Sequence, residues 1–450
     1  MVFGGYFCCY NKYLLPFVQK ACQKNCGTHA GKVNGMTPEI KQRIEQIRRG
    51  EVPVGYKNGK LGIVPKEWDD TSFSTLLTST NDYTDDLEKY SLYSLTIEGG
   101  VTPKTERYER SHLVKKEDSY KIVRPNDYAY NPMNLRFGAV ARYKGDIPVA
   151  VSGYYDIFTT VYKSDLPFMD SFLTCGPMIT YYNRVSTGSL VEKQRVHFSQ
   201  FLGFALPLPS RKERAQIATI LTTQDKVIEL KEKLLAEKQR QKKYFMQVLL
   251  TGKKRLPGFC GEWKKEPLGK LFSERRETNC SELELLAITG TQGVIPRSQL
   301  DLKDNSSEDK SKYLKICIGD IGYNTMRMWQ GVSAYSNYEG IVSPAYTILK
   351  PSPTINAKYF SYLFKLPEIV FLFYRFSQGL VDDTRNLKYE NFKKIKIRYP
   401  EDRKEQDNIT EILSTADREI DLLQQELEQE KQKKKALMQL LLTGIVRVKI

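Results

Sequence analysis

Side chains able to hydrogen-bond to the edges of DNA bases are concentrated, among aromatic residues, in two short segments of the chain. The first segment holds Tyr128, Tyr130, Asn131, Asn134, Arg136, Arg142 and Tyr143, and the second holds Tyr323, Asn324, Arg327, Trp329 and Gln330. Arg385 is a further candidate of the same chemistry. Arginine, asparagine and glutamine make bidentate contacts with guanine or adenine edges. These residue types therefore predict direct readout of DNA bases.

An alternative interpretation of both segments stays open, in which the tyrosines and methionines are core strand residues and only the arginines face solvent. Lys253, Lys254 and Arg255 are predicted to contact phosphates, which carry no sequence information. The lysine-rich stretches 231–243 and 431–435 fit either phosphate contacts or a solvated helix face.

The tetrapeptide 131–134, Asn-Pro-Met-Asn, is the nearest approach to a catalytic motif. Methyltransferases acting on the amino groups of DNA bases use Asn/Asp-Pro-Pro-Tyr/Phe, in which the aromatic ring stacks on the flipped base. Here Met133 replaces the second proline and Asn134 replaces the aromatic residue. No glycine-rich loop for a methyl donor accompanies the tetrapeptide, so a methyltransferase active site is rejected.

Other catalytic constellations are missing as well. His29, His112 and His197 are far apart in sequence, and there is no G-x-x-x-x-G-K-[ST] loop for phosphates. Asp382 and Asp383 could share a metal ion, but no third carboxylate follows at a useful spacing, which favours solvated loop acids. We therefore expect a protein that is not an enzyme, with no cofactor and no metal.

The 450-residue chain carries a formal charge of +16. Such basicity suggests a polyanionic partner, most often nucleic acid, although lysines that solvate long helices would give the same charge. Apolar residues make up 40% of the chain, which indicates folded domains, and no window approaches the roughly 18 apolar residues of a membrane helix. The eight cysteines form no C-x-x-C pair. A soluble protein of a reducing compartment, the cytoplasm, is expected.

The first 35 residues form a cysteine-rich leader that we do not expect to be part of the fold. Cys22, Cys26 and His29 match no common zinc-site spacing. A short N-terminal helix is predicted within 36–52, with Thr37 as its N-cap and Pro38 at its first position.

A long segment of the chain occurs twice. Residues 211–252 align without a gap on residues 403–444, and nearly half of the positions are identical. Both copies are predicted to be long helices that end at a glycine in a left-handed C-cap. Apolar residues at alternating spacings of four and three predict a coiled-coil seam, formed by Ile217, Leu221 and Ile228 in the first copy and by Ile409, Leu413, Ile420, Leu423 and Leu427 in the second.

The repeat extends into the globular segments. The sequence around Trp68 resembles that around Trp263, and Asp127, Tyr130, Asn131 and Met133 match Asp320, Tyr323, Asn324 and Met326. The predicted order is the leader 1–35, the short helix 36–52, a first module 53–210, a central helix 211–252, a second module 253–400 and a C-terminal helix 401–450. Each module mixes strand-like and helical runs and is α/β or α+β, and the two helices are expected to form an antiparallel coiled coil in a pseudo-twofold repeat.

This organisation resembles the specificity subunit of type I restriction–modification systems. The resemblance covers about residue 36 to the end of the sequence and is carried by the phrases KLGIVPKEW (60–68), RKERAQIATIL (211–221), GIVSPAY (340–346) and RKEQDNITEIL (403–413). It implies two target-recognition domains that each read one half of a bipartite DNA sequence, with helices that set the gap. It also implies a subunit that catalyses nothing, docks two modification subunits that methylate adenine, and recruits two restriction subunits.

Two other classes of function remain open. A stand-alone DNA adenine methyltransferase with a degenerate motif would bind a methyl donor by itself. A basic coiled-coil structural adaptor would bind DNA without preference and lose nearly all affinity at modest salt, because its binding would rest on phosphate neutralisation.

Overall fold

The computed structural model describes residues 37–104, 120–189, 194–290, 292–300, 309–381 and 384–450. These residues form two compact units. The first unit comprises the chain up to Lys231 together with Glu426–Ile450, and the second comprises Glu232–Gln425. The leader 1–35 with its cysteines and His29, as well as His112, Asp382 and Asp383, lie outside the described residues.

Two helices in this part of the chain are far longer than the others. They are α5 (Arg211–Leu249, 39 residues) and α10 (Arg403–Leu442, 40 residues), so each measures about 60 Å along its axis. The helix α5 begins at the predicted residue, whereas α10 is shorter at both ends than the predicted segment 401–450. Gly252 and Gly444 follow the two helices at φ values of 72° and 70°, which confirms the predicted left-handed caps. The shorter helices are α1 (Pro38–Arg48), α2 (Leu166–Phe172), α3 (Gly176–Val185), α4 (Phe198–Leu202), α6 (Leu268–Leu271), α7 (Ala357–Leu363), α8 (Pro367–Phe376) and α9 (Tyr389–Phe392).

The strands of the first unit build one four-stranded sheet, one three-stranded sheet and three two-stranded pairs, β1 with β2, β6 with β7 and β3 with β13. The four-stranded sheet has the order β10-β9-β12-β4, and the three-stranded sheet has the order β11-β8-β5. The strands are β1 (Tyr56–Gly59), β2 (Gly62–Pro65), β3 (Asp69–Ser72), β4 (Leu77–Ser79), β5 (Tyr83–Thr84), β6 (Tyr93–Thr96), β7 (Gly100–Pro103), β8 (Tyr120–Val123), β9 (Tyr128–Tyr130), β10 (Val140–Arg142), β11 (Val149–Ser152), β12 (Asp156–Thr160) and β13 (Ala205–Leu208).

The second unit repeats this arrangement strand for strand over most of the module. Its four-stranded sheet has the order β20-β19-β22-β15, while β21 pairs with β18, β23 with β14 and β17 with β16. All of these pairs are antiparallel, so the modules are α+β rather than α/β. The strands are β14 (Trp263–Pro267), β15 (Phe272–Arg275), β16 (Leu286–Thr289), β17 (Gly293–Pro296), β18 (Leu314–Ile316), β19 (Ile321–Asn324), β20 (Ser333–Tyr335), β21 (Gly340–Val342), β22 (Tyr346–Pro351) and β23 (Lys396–Pro400).

Aromatic side chains fill the main core of each module. In the first, the ring of Phe201 lies 5.2 Å from that of Phe73 and 5.0 Å from that of Tyr130. In the second, the ring of Phe392 lies 5.5 Å from that of Tyr323 and 5.9 Å from that of Phe364. Since an aromatic side chain buries a large apolar area, such clusters stabilise a sheet against the short helices on its face.

A buried carboxylate lies at the start of each long helix and is held by an arginine that follows the end of a long helix. In the second unit, Arg255 donates from Nε and Nη2 to Glu405 at 2.6 and 2.8 Å. In the first unit, Arg447 donates to Glu213 with the same geometry, at 2.6 and 2.9 Å. Both carboxylates are 1% exposed. We call each of these arginine–glutamate pairs a clasp.

A tryptophan completes each clasp. Trp68 donates from Nε1 to Glu213 at 3.3 Å, and the guanidinium of Arg255 lies 5.7 Å from the centre of the Trp263 ring. The capping glycines pack against these rings, because a Cβ at Gly252 would lie 3.3 Å from Trp263. The clasp therefore explains why the sequence repeats a tryptophan, an initial Arg-Lys-Glu and a terminal Leu-Thr-Gly. It also corrects one expectation, since Arg255 is engaged with Glu405 and not with phosphate.

The short helix α1 lies within the first unit, against the segment that follows α10. Its N-cap is Thr37, whose side chain accepts from the backbone nitrogen of Ile40, with Pro38 in the first turn as predicted. Arg43 donates from Nη1 to the carbonyl of Ile445 at 2.9 Å. The short helix therefore lies beside the residues that directly follow the C-terminal helix α10.

Within each unit, a part of α5 runs beside a part of α10 in the opposite direction. In the first unit Lys231 pairs with Glu426 at 2.6 Å and Asp225 pairs with Lys434 at 2.5 Å. In the second unit Lys238 pairs with Glu419 at 2.7 Å, and Lys242 pairs with Asp417. Most of the predicted seam is buried, namely Ile217, Leu221, Ile409, Leu413, Ile420 and Leu427, while Ile228 and Leu423 are half-buried.

The clasp predicts a large stability loss for Arg255→Met. The substitution leaves the buried carboxylate of Glu405 without its cation, which we expect to lower the free energy of unfolding by about 3 kcal/mol, as measured by denaturant titration. Adding Glu405→Gln should restore part of this loss. Arg276→Met is the matched control, because the Arg276 side chain is 72% exposed and its pair with Glu274 should contribute under about 1 kcal/mol. Equal losses in the two single variants would contradict the assigned role.

Candidate nucleic-acid interface

Each module carries a turn between the two strands at one edge of its four-stranded sheet. In the first module the turn joins β9 to β10 and contains the 3-10 helix Leu135–Phe137. In the second it joins β19 to β20 and contains the 3-10 helix Met328–Gln330. We call these segments the edge turns. They contain the Asn134, Arg136, Arg327 and Trp329 side chains that the sequence singled out.

An asparagine begins each edge turn and shapes its backbone. Oδ1 of Asn131 accepts from the backbone nitrogen of Met133 at 3.1 Å, and Oδ1 of Asn324 accepts from that of Met326 at 2.9 Å. Asn131 is buried. Such side-chain turns replace a backbone hydrogen bond and define where the chain reverses. Asn131 and Asn324, which were predicted to contact DNA, therefore build the turn.

A glycine closes each edge turn against a helix. Gly138 and Gly331 have φ values of 96° and 81°, in the left-handed region that favours glycine. A Cβ at Gly138 would lie 3.2 Å from Ile179 of α3, and one at Gly331 would lie 3.1 Å from Val370 of α8. The turn is thus packed closely against α3 in the first module and against α8 in the second.

A second segment of the module contacts each edge turn. It comprises residues 194–196 in the first module and 385–387 in the second, and we call it the returning segment. The backbone nitrogen of Val196 donates to the carbonyl of Pro132 at 3.1 Å, and that of Leu387 donates to the carbonyl of Thr325 at 2.8 Å. Turn, helix and returning segment consequently meet at one place in each module.

Three side chains come together at this place in the first module. Nη1 of Arg136 donates to Oε1 of Gln194 at 3.2 Å, and the Asn183 amide donates to the carbonyl of Arg136 at 2.8 Å. The guanidinium of Arg136 also lies 4.5 Å from the centre of the Phe137 ring. Of Arg136, Asn183 and Gln194, only Arg136 was a candidate from the sequence.

Three side chains at the equivalent positions come together in the second module. The ring of Trp329 lies 6.2 Å from that of Tyr374 in an edge-on arrangement. The guanidinium of Arg385 lies 4.1 Å from the centre of the Tyr374 ring and donates to its hydroxyl at 2.9 Å. Sequence reasoning had singled out Trp329 and Arg385 and had missed Tyr374.

A shared signal could have located the missed residues. A Ser-x-Gly tripeptide follows α3 at 186–188 and α8 at 377–379. Its middle residue forms a backbone bridge, which pairs Thr187 with Arg195 and Gln378 with Asn386. Aligning the modules on this tripeptide brings Asn183 over Tyr374 and identifies the returning segments.

Two predicted contact residues are core residues instead. Tyr130 and Tyr323 are both 0% exposed, and the hydroxyl of Tyr130 donates to the carbonyl of Val196. Burial raises the pKa of each phenol well above its usual value, so both hydroxyls remain neutral. The prediction that these tyrosines contact DNA is wrong, because neither side chain reaches the surface, and the alternative that they are core strand residues is correct.

Arg142 belongs to an internal polar network of the first module. Its guanidinium donates to both oxygens of Asp170 at distances from 2.6 to 3.1 Å and to Oδ1 of Asn126 at 2.8 Å. The hydroxyl of Tyr128 donates to the same carboxylate at 2.7 Å. Since its donors are occupied within the fold, Arg142 positions β10 and α2 rather than reading DNA. Asn134 and Arg327 are exposed, and their predicted contact with DNA stays a prediction.

A buried lysine supports the edge turn of the second module. Lys365 donates from Nζ to the carbonyls of Gly331 and Ser333 at 2.7 and 2.6 Å. Burial lowers the pKa of Lys365 to about 8. The lysine therefore anchors the end of the turn next to Trp329 and β20.

Within the described residues, no group of three or more histidine, cysteine, aspartate or glutamate side chains is placed to hold a metal ion. Of the helices in the described ranges, none combines the length and apolarity needed to cross a membrane.

The second module and part of α10 match a known family. Residues 262–432 match the family described as the type I restriction modification DNA specificity domain. This segment, which is less than half of the chain, is therefore similar to the DNA specificity domains of that family. The resemblance to type I specificity subunits that the sequence predicted is confirmed.

Solved structures share the fold. The S subunit of the type I restriction–modification system from M. genitalium is 14% identical, with a TM-score of 0.51, and the match covers 85% of this chain and 97% of that one. A structure concerned with complex assembly and conformational transition of the type I R-M system is also 14% identical, with a TM-score of 0.50, covering 85% and 99% of the two chains. The mixed helix and strand fold of this protein is therefore the fold of these structures.

The lowered pKa of Lys365 predicts a pH-dependent stability. Because the pKa falls from 10.5 in the unfolded chain to about 8 in the folded one, the unfolded state binds more protons between these values. The free energy of unfolding should consequently rise relative to that of Lys365→Met as the pH increases from about 8 to 10.5, in denaturant titrations at each pH. Lys394→Met, which removes an exposed lysine, should show no such difference from the parent. Parallel pH profiles for parent and Lys365→Met would contradict the shift.

Proposed function

We propose that this protein is the specificity subunit of a type I restriction–modification complex, in which each module reads one half of a bipartite DNA target. The observation that carries the proposal is that the same module occurs twice, with the same edge turn but different exposed side chains. Two equal scaffolds with different contact residues suit two different half-sites. The specificity-domain match of residues 262–432 supports the same conclusion for the second module.

The charge of the chain agrees with this function. A formal charge of +16 favours association with the phosphate backbone, which contributes affinity without sequence preference. Base choice must then come from a few side chains that reach the grooves. The edge turns concentrate such side chains, with Asn134 and Arg136 in one module and Arg327 and Trp329 in the other.

The long helices are proposed to form an antiparallel coiled coil that sets the gap between the half-sites. Their opposite direction within each unit and the ion pairs of Lys231 with Glu426 and Lys238 with Glu419 support this role. A helix of 39 or 40 residues measures about 60 Å. One turn of B-DNA measures about 34 Å, so a rod of this length is on the scale of a target with two separated halves.

The same helices are proposed to dock the methyltransferase subunits. On the α5 part of the second unit, Leu234 and Tyr244 are nearly half exposed and line one surface depression together with Lys238 and Gln247. We infer that two modification subunits bind there and carry out the methylation, and that restriction subunits join the complex. This chain supplies recognition and no catalysis of its own.

A methylation map tests the function as a whole. With the gene intact, the host genome should carry N6-methyladenine in one motif that has two short specific halves around an unspecified gap, and deletion of the gene should abolish that motif alone. Reintroducing the gene should restore it. Persistence of every bipartite motif, together with failure of the protein to co-purify with a methyltransferase subunit, would refute the proposal.

Lengthening the helices tests the spacer. Seven residues inserted after Glu232 of α5 and seven after Gln425 of α10 preserve the spacing of the seam and add about 10 Å. The methylated motif should keep both halves and gain about three base pairs of gap, at 3.4 Å per base pair. The same seven residues added after Ile450 form the control and should leave the motif unchanged. An unaltered gap in an insertion variant that still methylates DNA would exclude a spacer role.

A further inference from the structure

We infer that three structurally equivalent positions determine which bases each module accepts, and we call each set of three a readout column. The first column consists of Arg136, Asn183 and Gln194, and the second consists of Trp329, Tyr374 and Arg385. The inference rests on the proposed function and assigns its base specificity to particular side chains. Only Arg136, Trp329 and Arg385 were candidates from the sequence.

The equivalence of the columns follows from the fold of each module. Arg136 and Trp329 are the middle residues of the 3-10 helices in the edge turns. Asn183 and Tyr374 lie near the ends of α3 and α8, the helices packed on the turn glycines. Gln194 and Arg385 each directly precede the residue that closes the bridge after Ser-x-Gly. One member of each column therefore comes from each of the three elements that meet.

The differences between the two modules are found at the same positions. The framework beneath the columns is alike in the two modules, because both use a buried tyrosine, an asparagine turn and a left-handed glycine. A feature common to both modules cannot distinguish two half-sites. The members of each column are linked through one residue, Arg136 in the first and Tyr374 in the second. They are at least partly exposed and differ at all three positions.

The first column offers hydrogen bonds. Nη1 of Arg136 donates to Oε1 of Gln194 at 3.2 Å, and Nε is buried without a hydrogen-bond partner in the described residues. Only the two Nη atoms at the end of the guanidinium can therefore meet a base. The Asn183 amide nitrogen is occupied by the carbonyls of Arg136 and Ile179, which leaves its Oδ1 as the acceptor. A guanidinium presented in this way suits the paired acceptors O6 and N7 of guanine. We assign a G·C pair to the first half-site.

The second column offers mainly flat apolar surface. Nε1 of Trp329 already donates to the carbonyl of Met326 at 2.9 Å, so its ring contributes contact area and not a hydrogen bond to a base. Arg385 is stacked on Tyr374, an arrangement that limits the directions its guanidinium can take. Contacts of this kind suit the methyl group of thymine or the face of an unstacked base. The second half-site should therefore depend on shape and stacking more than the first.

The test uses the full-length chain expressed with its modification subunits in cells that lack other N6-adenine methylation, followed by methylome sequencing. Arg136→Ala should relax one G·C position of a single half-site by about ten- to a hundredfold and leave the other half intact. Arg136→Lys should relax it similarly, since lysine lacks the bidentate fork. Trp329→Ala and Tyr374→Ala should relax the other half-site.

Two control variants test whether the loss of any exposed cation would change the methylated sequence. Lys144→Ala and Arg375→Ala remove one exposed cation from each module, and both half-sites should keep their sequence. Methylation at relaxed sites that retain the second half demonstrates that a variant is folded. If the column variants keep both half-sites, or weaken both equally, the columns do not read bases and the inference is wrong. If the parent chain itself directs no bipartite methylation, the proposed function fails instead.

Discussion

The buried arginine–glutamate clasp is the interaction on which the rest of this structure depends. A carboxylate that is 1% exposed is tolerated only with a cation and full hydrogen bonding, and Arg255 and Arg447 supply both to Glu405 and Glu213. In each unit the clasp ties the chain after one long helix to the first turn of the other. Each module is thereby attached to both helices within its own unit.

A second constraint separates the scaffold from the readout. The edge turn is shaped by a buried tyrosine, an asparagine that caps the turn and a glycine with positive φ, and these recur in both modules. Between them, Leu135 and Met328 are buried, whereas the next residues, Arg136 and Trp329, are partly exposed and differ between the modules. A protein that reads two different sequences can thus keep one fold and vary only a few positions.

This separation also explains why affinity and specificity have different sources in the proposed function. The excess of lysine and arginine acts through phosphates and is spread along the chain, whereas base discrimination rests on short turns. The match of residues 262–432 to the DNA specificity domain covers one such module. The first module has the same strand order in its four-stranded sheet, although its column carries different chemistry.

The sequence by itself determined the repeat, both long helices, their glycine caps, most of the seam and the family resemblance, because these features depend on local periodicity and on residues close in the chain. Tertiary structure decided which polar residues are exposed. Tyr130 and Tyr323 entered the core, Asn131 and Asn324 formed turns, Arg142 paired with Asp170, and Arg255 joined a clasp. The column residues Asn183, Gln194 and Tyr374 were also missed, because they meet the edge turn only through contacts between elements far apart in sequence. Burial and pairing arise from such long-range packing, and residue type alone does not report them.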